Sequence, residues 1–189
     1  MRYLTYLFLV FVLGLLQGCF PIIATGIGTG ALMASDRRTT GTYIEDEGIE
    51  LKAIGKISEK YSNTVHVNIT SFNRRALVTG EVLSQDVKKD IGQIVASIPN
   101  LQSVSNELAV SGLSSLSSRG SDSLITTDVK LRFLSNGKAF RPEHIKVVTE
   151  NSVVYLIGLA YHKEADAATE IASSTKGVQR VVRVFEYLD

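Results

Sequence analysis

Only one cysteine occurs in the 189 residues, at position 19, so no internal disulfide can form and a disulfide-stapled scaffold is excluded. Neither sign of charge dominates. The 20 Lys and Arg against 19 Asp and Glu leave a formal net charge of +1, too little for the basic field that nucleic-acid binding needs. Beyond the N-terminus no apolar run approaches the about 20 residues that cross a bilayer. Signatures of chemistry are missing as well: there is no Ser/His/Asp order with a nucleophile elbow and no H-E-x-x-H. The Gly-x-Gly run at Gly26-Ile27-Gly28 has no strand before it and no Lys-Ser or Lys-Thr after it, which argues against a phosphate loop. What remains is the composition of a folded soluble body, 21% charged and rich in Val, Ile and Leu.

The N-terminus is different. Residues 3–16 are apolar apart from Thr5, Tyr6 and Gly14, and Arg2 precedes them. This is the pattern of a removable export signal rather than a membrane span. It ends in Leu16-Gln17-Gly18-Cys19, which resembles the bacterial lipobox, with Gln17 an unusual occupant of its place. The lone thiol lies at the cleavage point and not in a core pattern, so acylation of Cys19, with palmitate among its chains, explains it better than a stray buried cysteine. Several acyl chains, at about 0.8 kcal/mol per buried methylene, would anchor the protein permanently. Phe20 follows the cysteine where an Asp is absent; by analogy with enteric bacteria, this favours the outer membrane, with the folded body facing the periplasm.

Residues 1–18 are thus expected to be a signal peptide, and the small, Gly- and Thr-rich residues 19–43 a lipidated tether. The chain then repeats. In residues 67–82 and 145–160 two β-rich runs meet at Asn73 or Asn151, and each second run contains a glycine, Gly80 or Gly158. Each copy reads as a hairpin, the strand glycine marking a bulge or a close contact. A helix precedes each hairpin, over about 46–61 and 123–135, with Ile49, Ala53 and Ile57 or Ile125, Val129 and Phe133 at the period of one buried face. A second helical pattern starts at Asp86 or Glu164, and a closing strand ends near Val110 or Leu188. Residues 111–122 read as a Ser/Gly linker. The expected class is α+β: two tandem αββαβ domains, residues 44–110 and 123–189, each a small three-stranded mixed sheet packed against two helices.

This unit, with Val78-Thr79-Gly80-Glu81-Val82 or Leu156-Ile157-Gly158-Leu159-Ala160 in its second strand and Leu101-Gln102-Ser103-Val104 or Val178-Gln179-Arg180-Val181 opening the last, resembles the BON domain. A lipobox, a tether and two such units resemble the dual-BON outer-membrane lipoproteins. The resemblance runs from Glu45 to the C-terminus. It implies a non-enzymatic module that binds phospholipid membranes and supports envelope integrity, in some members at the division site.

Among candidate site residues, His66 and His144 fall at equivalent places in the repeat, and because they belong to separate domains no metal site is expected from them. Glu45, Asp46 and Glu47 read as helix-capping acids, and Arg74-Arg75 as a solvated turn. One feature exceeds what a core requires. Leu124, Leu131 and Leu134 form a second apolar stripe on the helix 123–135. With Thr127 and Lys130 on the helix and Lys138 and Arg141 after it, they form the expected contact with an anionic phospholipid membrane. Two alternatives stay open: that the stripe packs against the first domain, or that the protein is an adaptor for an envelope protein partner. In the adaptor reading, Ile69, Phe72, Ala76 and Val78 could line the partner-binding surface, though a core role suits them better. No cofactor is expected beyond the acyl group on Cys19, and the oligomeric state is not legible.

Overall fold

The computed structural model describes residues 36–62, 64–136 and 139–189. The signal segment, Cys19 and the tether as far as Ser35 lie outside the described residues, as does Lys138. The first half comprises α1 (Thr40–Tyr61), β1 (His66–Phe72), β2 (Arg75–Val82), α2 (Gln85–Ala96), β3 (Ser103–Asn106) and β4 (Ala109–Val110). The second comprises α3 (Leu116–Asn136), a 3-10 turn (Pro142–His144), β5 (Ile145–Glu150), β6 (Val153–Ala160), α4 (His162–Ser173) and β7 (Arg180–Tyr187). This is the expected α+β fold with two mixed sheets.

In each sheet the second strand is central, pairing antiparallel with the first and parallel with the last. The first sheet differs from expectation in one respect, because its closing strand is broken into β3 and β4. Arg75 pairs with Ser103 and Glu81 with Ala109, a constant register across the break. Leu108 turns into the core there at 1% exposure, and its carbonyl accepts from Lys88 Nζ at 2.6 Å while Asn106 Nδ2 donates to the Lys88 carbonyl at 2.8 Å. The first bond satisfies a strand carbonyl left at the break, and the second ties the strand to α2.

Both hairpins close on two residues with positive φ, Asn73 (+52°) and Arg74 (+60°) in one, Asn151 (+49°) and Ser152 (+60°) in the other. Positive φ at both central positions is the type I′ geometry, whose twist matches that of the strands. The strand glycines are sites of close backbone approach. A Cβ on Gly80 would lie 2.0 Å from the His66 carbonyl oxygen, and one on Gly158 2.2 Å from that of His144.

Two helices start earlier than the sequence predicts. α1 begins at Thr40, where Thr39 Oγ1 accepts from the Thr42 amide at 3.1 Å, so the last residues of the expected tether are helical. α3 begins at Leu116 inside the expected Ser/Gly linker. Ser115 Oγ accepts from the Ser118 amide at 3.1 Å, and the hydroxyls of Ser121 and Ser123 donate back to carbonyls one turn earlier. Serine is a poor helix former but a good cap, and those back-bonds let it sit within the helix.

The inward faces of the helices and sheets form one core per half. Ile49, Ala53, Ile57, Val78 and Ile91 belong to the first, and Ile125, Val129, Phe133, Val154 and Leu156 to the second. A third apolar cluster joins Phe72 and Leu77 of the first sheet to Tyr155, Ile157 and Leu159 of the second. The halves therefore meet through their sheets, which is why β2 and β6 are buried on both faces. Ile69, Ala76 and Val78 lie in the first core and Phe72 in this seam, so none of them lines an adaptor surface.

Candidate membrane-contact face

With the sheets meeting at the seam, the outer face of α3 is left open. Leu124, Leu131 and Leu134 are 69%, 58% and 70% exposed, so the stripe does not pack against the first domain. Leu116, at 84% exposure, extends it. At about 100° per residue, Leu116, Leu124, Thr127, Leu131 and Leu134 fall within an arc of about 80°, while Ile125, Val129 and Phe133 point into the core. Thr127 is exposed, its hydroxyl donating to the Ser123 carbonyl at 2.9 Å. Lys130 is exposed on one edge of the stripe and Asp128 on the other. Arg141 follows the helix, half-paired with Glu143 at 3.9 Å.

The chain enters the fold along an ion-pair path that touches both halves. Arg37 Nη1 donates to the Leu159 carbonyl at 2.8 Å and to Glu164 Oε2 at 2.6 Å, and its guanidinium lies 4.9 Å above the Tyr161 ring. The hydrogen bond from Arg37 holds the Glu164 carboxyl below its ordinary range. The next residue turns the other way. Arg38 is buried, bonded to Asp36 and Asp46 and stacked 3.8 Å over Phe72. Asp46 is 1% exposed and sits in the second turn of α1, so it clamps rather than caps: it accepts from the amides of Asn73 at 2.9 Å and Arg74 at 2.7 Å.

At the seam, Asn151 Nδ2 donates to Glu81 Oε1 at 2.7 Å, Asn73 Nδ2 to Glu186 Oε2 at 2.8 Å and Asn68 Nδ2 to Glu150 Oε2 at 3.0 Å. Arg75 also reaches Glu186 across the seam, at 3.4 Å, while its side chain stays 40% exposed. His66 Nε2 lies 3.4 Å from Glu150 Oε1. The carboxylate that His66 meets belongs to the second domain, so the docking of the two halves brings this pair together. Burial pushes the Glu150 carboxyl above its ordinary range; Asn68 and His66 oppose this, and the negative Glu81 and Asp122 reinforce it. His144 is buried within its own half, and His162 is exposed, bonded to Asp189 at 2.7 Å and stacked on Tyr187.

Residues 46–112 and 121–189 each match the BON domain. The chain belongs to the BON-domain family. Of its relatives, outer membrane lipoprotein DolP of Haemophilus influenzae is 36% identical over 176 residues, 92% of this chain and 91% of that protein. The 21 kDa hemolysin of Actinobacillus pleuropneumoniae is 28% identical over 81% of this chain and 79% of its own. Among solved structures, CdsD, a structural protein of the type III secretion system of Chlamydia trachomatis, is 13% identical over 77% of this chain and 92% of its own, with a TM-score of 0.31, too low to carry an argument. The likeness to DolP over nearly its full length makes this a dual-BON outer-membrane lipoprotein.

Within the BON pair, the sequence located Leu124, Thr127, Lys130, Leu131, Leu134 and Arg141 on or beside one exposed helix, while Cys19 and Lys138 lie outside the described residues. It missed Leu116, whose serine-rich neighbours hid the helix start; its spacing from Leu124, two steps of four residues through Gly120, was the available signal. It also missed exposed Ile44, Leu51 and Ile54 on α1, which share their face with Glu47.

Proposed function

We propose that this protein supports outer-membrane integrity as a lipid-anchored periplasmic lipoprotein whose second BON domain docks on anionic phospholipid through α3, including at the division site, and that it catalyses no reaction. The carrying observation is the row of four leucines, each at least 58% exposed, on a helix that the partner domain leaves uncovered. Contiguous exposed apolar surface of this kind marks an interaction site. The occupant argued for is a membrane, because the lipobox cysteine holds the protein on one, and Lys130 and Arg141 suit lipid phosphates. Acylation makes the second contact effectively intramolecular, so a weak intrinsic affinity suffices. The acidic Glu47 beside the apolar residues of α1 disfavours the same role for the first domain.

Co-sedimentation of residues 20–189 with vesicles tests this reading. Binding to phosphatidylglycerol vesicles that weakens with added salt, and little binding to phosphatidylcholine, is the expected result. Equal failure with both lipids would remove the direct lipid contact and leave the acyl chains as the membrane link.

A further inference from the structure

The seam holds a group of side chains that the membrane reading does not use. His66 begins β1, Glu81 lies near the end of β2, and Glu150 ends β5, so two come from the first domain and one from the second. One ligand atom from each can be chosen such that all three lie within 4.8 Å of one another. Glu81 is 1% and Glu150 6% exposed. Two buried carboxylates at this separation repel, and burial makes each costly without a compensating cation. Among the described residues, no Lys or Arg forms an ion pair with either; Glu150 meets only His66.

Neighbouring side chains hydrogen-bond all three. Glu81 Oε1 accepts from Asn151 Nδ2 at 2.7 Å and Oε2 from Ser114 Oγ at 3.0 Å. Asn68 Nδ2 bonds Glu150 Oε2 at 3.0 Å and lies 3.3 Å from His66 Nε2. A metal bound at Nε2 would take that lone pair, so the Asn68 contact would give way and the ring proton would sit on Nδ1, while the bonds to the two carboxylates remain as outer hydrogen bonds that orient ligands. A cleft of about 500 Å³ opens onto His66 and Glu150 past Arg119 and Thr126, giving an ion a way in and room for water.

We propose that His66, Glu81 and Glu150 form a site for a first-row divalent cation of the zinc class, which ties the two BON domains together at their seam. One imidazole and two carboxylates are a donor set that zinc accepts in tetrahedral form, with a remaining position for water. Bonds of about 2.1 Å place two tetrahedral ligands roughly 3.4 Å apart. The His66–Glu150 pair already stands at 3.4 Å, so only Glu81 needs to draw in. The ion would supply the positive charge that the two buried carboxylates lack.

The test is calorimetric titration of the untagged, full-length lipoprotein in detergent, stripped with chelator, with zinc chloride and in parallel with manganese and calcium chloride. His66→Gln and Glu150→Gln serve as variants. Both keep side-chain size, and thermal melts without metal verify that they fold. One zinc per chain is expected, with affinity falling about tenfold or more in each variant, and with zinc raising the melting temperature of the parent only. Absence of stoichiometric uptake in the parent overturns the proposal. So does uptake that both folded variants retain, since that ion would sit elsewhere.

Discussion

Asp46 and Asp122 do the same work in the two halves of the molecule. Each buried carboxylate grips the amides of a hairpin turn, Asp46 those of Asn73 and Arg74, Asp122 those of Asn151 at 3.0 Å and Ser152 at 2.8 Å. The turns need that grip because Arg74 and Ser152 occupy left-handed backbone that residues with a side chain disfavour. Asp122→Ala would strand two amide donors, at about 1–3 kcal/mol each, so a loss of about 2–4 kcal/mol is expected by denaturant unfolding. Asp46→Ala would also leave Arg38 buried without one of its carboxylates and should cost more, about 3–5 kcal/mol. Losses below about 0.5 kcal/mol would show that the turns hold themselves.

The strand glycines are predicted to be irreplaceable for steric rather than conformational reasons at Gly158, and for both reasons at Gly80, whose φ is +117°. Alanine at either position drives a methyl into a backbone carbonyl, and the sheet must shift to relieve it. Gly158→Ala should cost about 2–4 kcal/mol, with Gly80→Ala at least as severe. A thermal melt within a degree or two of the parent would contradict the close approach of β1 to β2 or β5 to β6.

Acid should release the start of the fold from the second domain. Glu164 is held below its ordinary value of 4.5 by the hydrogen bond from Arg37. A group whose folded pKa is depressed contributes stability that is present above the unfolded value and is lost as pH falls through the folded one. Arg37→Ala is therefore expected to cost about 1–2 kcal/mol at pH 7. The difference between variant and parent should shrink as pH falls below about 4.5. A difference that stays constant over that range would mean the pair contributes nothing electrostatic.

The seam is predicted to make the two domains unfold together. Leu77 is fully buried there against the second sheet, and Leu77→Ala should cost about 2–5 kcal/mol. A loss under about 1 kcal/mol would indicate that the sheets separate in solution. Two resolved transitions in the parent would also contradict a shared core.

Most of the architecture was legible because each half repeats the other: the period of Ile49, Ala53 and Ile57 returns in Ile125, Val129 and Phe133, and Asn73 and Gly80 return in Asn151 and Gly158. The seam was not legible. Leu77, Tyr155 and Ile157 alternate with core residues along β2 and β6, and a strand buried on both faces gives a continuous apolar run whose second partner cannot be named from the run itself. The role of Asp46 was hidden for a related reason. An acid near a helix start reads as a cap, and only the folded hairpin brings Asn73 and Arg74 to it. The meeting of His66 with Glu150 depends on how the domains dock, which no spacing within one repeat encodes. Leu116 lay in plain view but among serines, where low helix propensity outweighed capping.

The central claim is that the exposed face of α3 meets the membrane, and flotation tests it most directly. Residues 20–189 would be mixed with phosphatidylglycerol-containing vesicles beside a variant carrying Leu116→Glu, Leu124→Glu and Leu134→Glu, all on solvent-exposed positions and so expected to leave the fold intact. The account predicts that the parent floats and the equally folded variant stays behind. A variant that floats as well as the parent would contradict it.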